Sequence, residues 1–252
     1  MFRRKASPVK EIMQFGDPEY IKTLGINPDE LISFAGGWVN HKAPEELRRA
    51  YESIVSDIDL FHLSGKYSPT LGENEFKIAI SRFENELYQM NISEKEIAVG
   101  SGSTQLAMEL FTVILDPGDK ILLLDPSYCN YPTQILTGVP DVEILRFSVI
   151  DEKKWKFVAD EKIEEFSKYI LKNKPKIVML VSPDNPTSKI LSHEFVESTL
   201  KAVKEIGGFL IIDFAYKELV FENNYPKYFS WAPNENYISL RTNSKWCRSL
   251  GR

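Results

Sequence analysis

Short apolar runs alternate with amphipathic segments along the chain from residue 97 onward. Short runs bounded by turn residues are typical of buried strands, whereas apolar positions three and four residues apart are typical of helices. The predicted strands are residues 97–99, 121–124, 142–147, 177–181, 209–212 and 237–240. The predicted helices are residues 104–115, 131–136, 161–171 and 194–206. This alternation predicts an α/β fold with three layers, α/β/α, in which helices cover both faces of a mostly parallel sheet.

The pattern before residue 97 is different. Residues 1–40, which prolines interrupt, are predicted to form an N-terminal arm. A helix is predicted to begin at residue 44 and to end near residue 58, because a proline and two acids occupy its first turn. Beyond a loop, four apolar residues at helical spacing predict a helix face that packs in the core: Phe76, Ile80, Phe83 and Leu87.

Composition and charge exclude several classes of protein. The 252 residues are 43% hydrophobic, enough for a large core, and the net charge of −5 with no basic block argues against a nucleic-acid partner. The apolar runs are too short to span a bilayer, and no apolar core of a signal peptide follows the basic N-terminal residues. Cys129 and Cys247 are distant in sequence, and the three histidines lack the spacing of metal ligands. We therefore expect a cytoplasmic protein with no metal site and no membrane or nucleic-acid partner.

The carboxyl ends of the predicted strands carry unusual residues, and ligands bind at this edge of parallel sheets. After the first strand, Gly102-Ser103-Thr104 leads into a helix whose free N–H groups would bind a phosphate, although an ordinary N-cap by Ser103 is the more common arrangement. Tyr128, after the second strand, would stack on a planar ring or pack in the core. Asn185, in an Asn-Pro-Thr turn after the fourth, would donate to a ring oxygen or serve the turn alone.

Two further strand ends carry ionisable groups. The apolar run 209–212 ends in Asp213, where a carboxylate either caps a helix or, if buried, needs a partner such as a protonated ring nitrogen. Tyr216 brings a phenol to the same place. Lys245 follows the last strand, and it is either a solvated lysine or an amine whose pKa is lowered for attack on a carbonyl. Together these residues offer a phosphate site, an aromatic ring for stacking, a donor to a ring oxygen, a partner for a ring nitrogen and a reactive amine. This set matches one cofactor, pyridoxal 5'-phosphate (PLP).

The same residues resemble the motifs of the fold-type I PLP-dependent enzymes, in the class I/II aminotransferase family (aspartate, aromatic and aminoadipate aminotransferase-like). The similarity covers nearly the whole chain, from Ile32 to Arg252, in the family's own order. The start of the chain, through Gly36-Gly37, is similar to the branch that acts on aminoadipate and aromatic amino acids. The motifs are Tyr67 with Gly72, Gly102-Ser103-Thr104, Pro126-Ser127-Tyr128, Asn185-Pro186-Thr187, Asp213-Phe214-Ala215-Tyr216, Thr242 with Ser244-Lys245, and Arg252.

The resemblance implies a role for each of these residues. Lys245, Asp213 and Tyr216 are expected to be catalytic, and Gly37 and Asn185 to lie at the substrate. The expected reaction is transamination between an amino acid and a 2-oxo acid; the alternatives are another fold-type I PLP reaction, such as that of a decarboxylase or lyase, or a catalytically inactive PLP-binding module. Tyr67 is expected to act on the neighbouring subunit of a homodimer. The residues expected to bind PLP are Lys245, Ser103, Thr104, Tyr128, Asn185, Asp213, Tyr216, Thr242, Arg252 and Tyr67.

The resemblance also implies a domain division. Residues 41–64 are expected to belong to the small-domain side and residues 65–252 to the PLP-binding large domain. In the family, a further strand and most of a smaller domain follow the position of Arg252, and that domain carries the arginine that binds the substrate's α-carboxylate. We therefore expect a C-terminally truncated member, without the small C-terminal domain and without significant transaminase activity in its 252-residue form. Ser188 and Trp246-Cys247-Arg248-Ser249 depart from the family pattern, and they are expected to alter loop geometry only.

Overall fold

A five-stranded sheet, parallel throughout, forms the centre of the molecule, with strand order β2-β1-β5-β6-β7. The computed structural model describes residues 12–32, 39, 41–221 and 225–249. A separate antiparallel pair consists of β3 and β4. The strands are β1 (Lys120–Asp125), β2 (Glu143–Ser148), β3 (Ile150–Asp151), β4 (Lys156–Phe157), β5 (Ile177–Val181), β6 (Phe209–Asp213) and β7 (Tyr237–Leu240).

Helices connect the parallel strands. The α-helices are α1 (Pro18–Thr23), α2 (Glu45–Ser56), α3 (Ile58–Ser64), α4 (Asn74–Tyr88), α5 (Ser103–Ile114), α6 (Tyr131–Gly138), α7 (Ile163–Asn173) and α8 (His193–Glu205). Local capping fixes several of their ends; for example, the Ser192 hydroxyl accepts from the Phe195 N–H over 3.1 Å at the start of α8. The predicted strands 177–181 and 237–240 and the four predicted helices after residue 97 are all observed, with ends shifted by at most two residues.

The core lies on both faces of the sheet because successive strand residues point to opposite sides. In β5, Val178 and Leu180 belong to the buried cluster that contains residues of α7 and α8. Ile177, Met179 and Val181 belong to the other cluster, with residues of α5 and α6. Since both faces are covered in this way, every residue of β5 is buried. The prediction of a three-layer α/β/α fold with a mostly parallel sheet is confirmed.

Two local predictions are wrong, and one helix was not predicted. Residues 97–99 form no strand, because among the described residues β7 pairs with β6 alone and no strand extends the sheet toward residue 97. The helix predicted to end near residue 58 is observed as α2, which ends at Ser56. The unpredicted helix is α3, which the Asp57 carboxylate caps by accepting from the Asp59 and Leu60 N–H groups. The apolar face of α4 is not uniformly core, since Phe76 and Leu87 are exposed.

A cavity of about 300 Å³ lies between α4, residues 97–102 and the free edge of β7. Its lining includes Phe76, Ile80 and Phe83 of α4, Val99, and Leu240 of β7. Three of the four stripe residues therefore line this cavity, so they have the spacing of a core face although part of the stripe is accessible. Within the described ranges, no helix has the length and apolar character needed to cross a membrane.

Candidate functional site

Strand register brings the chemistry-bearing strand ends to one edge of the sheet. Val181 of β5 pairs with Asp213 of β6, and Asp213 pairs in turn with Leu240 of β7. The residues that follow these positions therefore emerge side by side, as the carboxyl ends of parallel strands must. The motifs beginning at Ser182, Asp213 and Arg241, which are about thirty residues apart in sequence, are brought together by this pairing.

Asp213 is a buried carboxylate at the end of β6, only 6% exposed. Its Oδ2 accepts a 2.6 Å hydrogen bond from the Tyr131 hydroxyl, and its Oδ1 accepts a 2.8 Å bond from the Ala215 N–H. Burial raises the pKa of Asp213, whereas these two hydrogen bonds and the positive charges of Arg241 and Lys245 lower it. Each carboxylate oxygen keeps a free lone pair, so the group can still accept from a cationic donor.

Tyr131 is a site residue that the sequence did not reveal. It is the first residue of α6, it is 2% exposed, and its ring lies 5.2 Å from that of Tyr128 in an edge-on arrangement. Burial, together with the negative charge of Asp213, raises the pKa of the Tyr131 phenol well above its usual range, so this hydroxyl stays protonated and donates. In the sequence, Tyr131 is an aromatic at a helix start, and nothing distinguishes it from ordinary core.

Lys245 and Tyr216 lie together at this edge. The Lys245 Nζ is 5.5 Å from the centre of the Tyr216 ring, and the Asn185 amide donates to the Tyr216 hydroxyl over 3.4 Å. Burial lowers the pKa of the half-buried Lys245 amine, and the charge of Asp213 partly opposes that shift. A larger fraction of Lys245 is therefore neutral near pH 7 than of an exposed lysine, which favours nucleophilic attack on a carbonyl.

The proposed phosphate side consists of a helix start and two hydroxyls. Gly102, with φ of 87°, occupies the N-cap of α5, and Ser103 is the first helical residue, so the expected N-cap role of Ser103 is wrong. No side chain caps this helix start, and Thr104 is exposed in its first turn. At the other strand end, the Thr242 and Ser244 hydroxyls lie 2.8 Å apart. An anion binds such uncapped N–H groups, and it can also bind the one hydroxyl proton that is not used in the bond between Thr242 and Ser244.

Of the other predicted residues, the structure describes Tyr67, which is not part of this cluster. Tyr67 is fully exposed on a loop. That loop is closed by Gly72, where φ is 93° and a Cβ would lie 2.7 Å from the Cβ of Val99, so only glycine fits. Gly37 and Arg252, the expected substrate and phosphate contacts, lie outside the described residues.

A buried network of charged side chains lies next to the residues of the site. Glu84 of α4 accepts from the Lys217 Nζ over 3.3 Å and from the Arg241 Nε over 2.8 Å, and Arg241 also contacts Glu218. Lys217 is completely buried and donates to the Phe229 carbonyl oxygen over 2.7 Å. We call Glu84, Lys217, Glu218 and Arg241 the Glu84 network. The network connects Lys217 and Glu218, which follow Asp213, to Arg241, which precedes Thr242. It could not be predicted from the sequence because its members come from three separate segments.

The Glu84 network has an unusual charge state. Burial, followed by the positive charge of Arg241, lowers the pKa of Lys217 to about 7, against the raising effect of Glu84. The same Lys217 Nζ lies 3.7 Å above the Tyr88 ring, a cation–π geometry. Lys217 is therefore a titratable group behind the site whose charge changes near neutral pH.

Comparison with known proteins identifies relatives of this arrangement. A family model described as aminotransferase class I and II matches residues 31–251. An aspartate aminotransferase of Thermotoga maritima is 27% identical over 206 residues, which is 81% of this chain and 51% of the relative. A histidinol-phosphate aminotransferase of Caldicellulosiruptor saccharolyticus is 25% identical over 205 residues, 80% of this chain and 50% of the relative. The chain spans about half the length of these curated relatives.

Solved structures share the fold. The aspartate aminotransferase of Thermus thermophilus with maleate superimposes with a TM-score of 0.80 at 21% identity, covering 98% of this chain and 61% of that one. The Thermotoga maritima aspartate aminotransferase gives a TM-score of 0.76 at 22% identity, covering 100% of this chain and 64% of that one. The family model matches residues 31–251, which is most of the length of this chain. The chain therefore belongs to the class I and II aminotransferase family.

Proposed function

We propose that this chain binds PLP through Lys245 and contributes the cofactor site of a transaminase that moves an amino group between an amino acid and a 2-oxo acid. The observation that carries the proposal is the buried Asp213 carboxylate at the same sheet edge as a lysine whose pKa is lowered by burial. A carboxylate suits a protonated ring nitrogen, and an amine with a lowered pKa suits a reactive aldehyde, so the two groups at one sheet edge fit this cofactor.

The donor set fits PLP group by group. The Asp213 carboxylate suits the ring nitrogen, and the Tyr216 hydroxyl and Asn185 amide, which are hydrogen-bonded to each other, suit the ring oxygen. Tyr128, half-buried beside Tyr131, offers an aromatic face. The uncapped start of α5 at Ser103 and Thr104, together with Thr242, supplies phosphate donors, and Arg252 is proposed to add a guanidinium.

Bound PLP supplies an electron sink for the bonds of the substrate's α-carbon. The chain's own residues do the rest. The Asp213 carboxylate, oriented by the Tyr131 hydroxyl, holds a proton on its partner nitrogen. Lys245, whose amine pKa is lowered, can take a proton from carbon and return it. Tyr216 and Asn185 set the polarity at the ring oxygen, and Gly37 and Asn185 are proposed to contact the substrate.

Oligomeric state and compartment are also proposals. We propose a homodimer in which Tyr67 reaches the phosphate of the partner's cofactor, because the Tyr67 side chain is fully exposed on a loop that Gly72 holds in a fixed turn. The amino-acid and 2-oxo-acid substrates are suggested by the curated relatives, which are named as aminotransferases. We also propose a cytoplasmic location, on the two free cysteines.

The proposal is tested by measuring transamination with glutamate, aspartate and aromatic donors. The assay is run on the 252 residues and on any longer product of the same reading frame, because the 252 residues span about half the length of the curated relatives. Each form is compared with its own Lys245→Ala variant. The proposal predicts 2-oxo acid formation above the Lys245→Ala background in the longer form. If both forms bind PLP and neither exceeds that background, the chain is a cofactor-binding module and the proposed reaction is wrong.

A further inference from the structure

His41 and Arg248 form a reciprocal pair of hydrogen bonds between two segments that are distant in sequence. The His41 ring nitrogen Nε2 lies 2.9 Å from the backbone carbonyl oxygen of Lys245. In the opposite direction, the Arg248 Nη1 donates to the backbone carbonyl oxygen of His41 over 2.8 Å. We call these two bonds the His41 clasp. The turn that carries Lys245 is thus tied to the segment at residue 41, and one of the two ties depends on an imidazole.

The second ring nitrogen of His41 determines which protonation state this geometry needs. Nδ1 lies 2.9 Å from the backbone carbonyl oxygen of Lys42. A carbonyl oxygen only accepts hydrogen bonds, so each ring nitrogen must carry a proton for both bonds to form. A neutral imidazole has a single N–H, whereas an imidazolium has two. The complete arrangement therefore requires a protonated His41.

The electrostatic surroundings agree with that requirement. The carbonyl oxygens of Lys42 and Lys245 raise the pKa of His41 above its ordinary value of 6.5, and this effect outweighs the lowering by burial and by the nearby Arg248 guanidinium. Because the folded-state pKa is raised, the stabilisation from the charged ring is fully present below pH 6.5 and is lost as the pH rises through the folded-state pKa. The His41 clasp therefore weakens as the pH rises through the folded-state pKa of His41.

We propose that His41 is a positioning residue for Lys245: its charged ring fixes the backbone of the lysine turn, and the proton lost at higher pH is the one on Nε2. The single remaining N–H, on Nδ1, then bonds the Lys42 carbonyl oxygen, and the lysine turn is released. What the turn does rests on the proposed function, but the clasp itself needs no cofactor. Trp246, the residue after Lys245, stacks on Phe83 with ring centres 5.7 Å apart and an interplanar angle of 10°. Movement of the turn should therefore change the environment of Trp246 and be visible in its fluorescence.

The first test titrates the cofactor-free protein. Proton resonances of the three histidines, assigned with His41→Gln and His193→Gln variants, give the pKa of His41, which the proposal requires to be above 6.5. Trp246 emission, isolated by difference from a Trp246→Phe variant, should change with that same pKa. A Trp231→Phe background is used throughout, because the His193 ring lies 5.6 Å from the Trp231 ring, close enough to quench its emission.

Two substitutions at His41 separate the clasp from general pH effects. Glutamine donates one N–H to the Lys245 carbonyl oxygen at every pH, so His41→Gln should hold the Trp246 signal near its wild-type acidic value. Alanine donates none, so His41→Ala should hold the signal near its wild-type alkaline value. A His41 pKa at or below 6.5, or a Trp246 transition that persists unchanged in His41→Ala, would overturn the proposal.

The second test asks whether the clasp affects Lys245 itself. Below the His41 pKa, PLP should attach to Lys245 more slowly in His41→Ala than in wild type, by a factor of about 2 to 5, the effect of one exposed hydrogen bond. Above that pKa the two rates should converge, since the wild-type clasp is then open. A constant ratio at all pH values contradicts the positioning role, whereas no attachment in wild type at any pH contradicts the proposed function instead.

Discussion

Asp213 combines two properties that oppose each other, burial and negative charge. Burial raises its pKa, while the Tyr131 hydroxyl, the Ala215 N–H and two nearby cations lower it. A charge buried in such a place is costly unless it is paired, and among the described residues the donors to Asp213 are a neutral hydroxyl and a backbone N–H. The Asp213 carboxylate therefore suits a cationic partner such as a protonated ring nitrogen.

The Asp213→Asn variant tests whether the carboxylate stabilises a protonated ring nitrogen. The amide matches the carboxylate in shape but cannot stabilise a protonated nitrogen, whereas the phosphate and lysine contacts remain. We expect PLP still to attach to Lys245, and transamination by the active form to fall by about 100-fold or more, as when one electrostatic stabiliser is removed from other enzymes. Stopped-flow or fixed-time assay of 2-oxo acid provides the measurement. Activity close to wild type would make Asp213 a structural residue.

Tyr131→Phe tests the orienting hydrogen bond. The change removes one hydroxyl from a buried 2.6 Å bond and leaves the Asp213 carboxylate with one donor fewer. We expect a loss of about 1–3 kcal/mol in the free energy of unfolding at neutral pH and a further rise in the Asp213 pKa. Denaturant unfolding measures the first effect. Tyr128→Phe, at a half-buried neighbouring ring with no hydroxyl contact to Asp213 among the bonds described here, is the matched control and should cost much less.

At the scale of elements, the Glu84 network joins α4 to the segments that follow β6 and β7. Lys217 follows Tyr216 directly, and Arg241 precedes Thr242, so ion pairs with Glu84 connect the two segments that carry these candidate site residues. A buried ion pair contributes little net stability, but breaking one partner leaves an uncompensated charge. The network is therefore expected to matter more for geometry and for pH dependence than for the total free energy of folding.

Lys217→Met reveals that pH dependence. The Lys217 pKa falls from 10.5 in the unfolded chain to about 7 in the fold. Its contribution to stability is therefore present above pH 10.5 and is lost as the pH falls through 7. As the pH falls from 10.5 to 7, the unfolding free energy of the wild type should therefore fall by about 3–5 kcal/mol more than that of Lys217→Met. Urea titrations across that range measure the difference, and a difference independent of pH would mean that Lys217 keeps an ordinary pKa.

Glu84→Gln is the companion change, because it removes the carboxylate that raises the Lys217 pKa. The stability step should then move to lower pH. Glu86→Gln, on the exposed side of the same helix, should leave the step where it is.

The sequence was sufficient for the fold class and for most element bounds, since buried strands and amphipathic helices are local patterns. The prediction of a strand at residues 97–99 failed because an apolar run forms a strand only if another strand pairs with it. The prediction that Phe76 and Leu87 are buried failed because helical spacing shows that they share a helix face but not whether another element packs on that face. The polar residues at strand ends were found because their placement is unusual. Tyr131 and Glu84 were missed because each is ordinary in sequence and becomes a site residue only through contacts across the fold.

At the scale of the whole molecule, the exposure of the Tyr67 side chain leads us to predict a homodimer. This side chain is fully exposed, so we expect it to contact the phosphate of the cofactor bound by a second copy of the chain. Removing its hydroxyl should weaken PLP affinity by about 10-fold or more, the effect of losing one hydrogen bond to a charged group. Mixing Lys245→Ala with Tyr67→Phe should create dimers with one intact site. Equilibrium dialysis of PLP would then find a class of sites with wild-type affinity that neither parent has, and its absence in a protein shown to be dimeric would contradict the shared site.

The central claim is that Lys245 is the amine that holds PLP. Protein incubated with PLP is treated with borohydride, digested, and mapped by mass spectrometry, with Lys245→Ala and the buried-lysine variant Lys217→Met treated in parallel. We expect one reduced pyridoxyl group, on Lys245, in wild type and in Lys217→Met, and none in Lys245→Ala. Folded wild-type protein labelled on another lysine, or not labelled at all, would contradict the account.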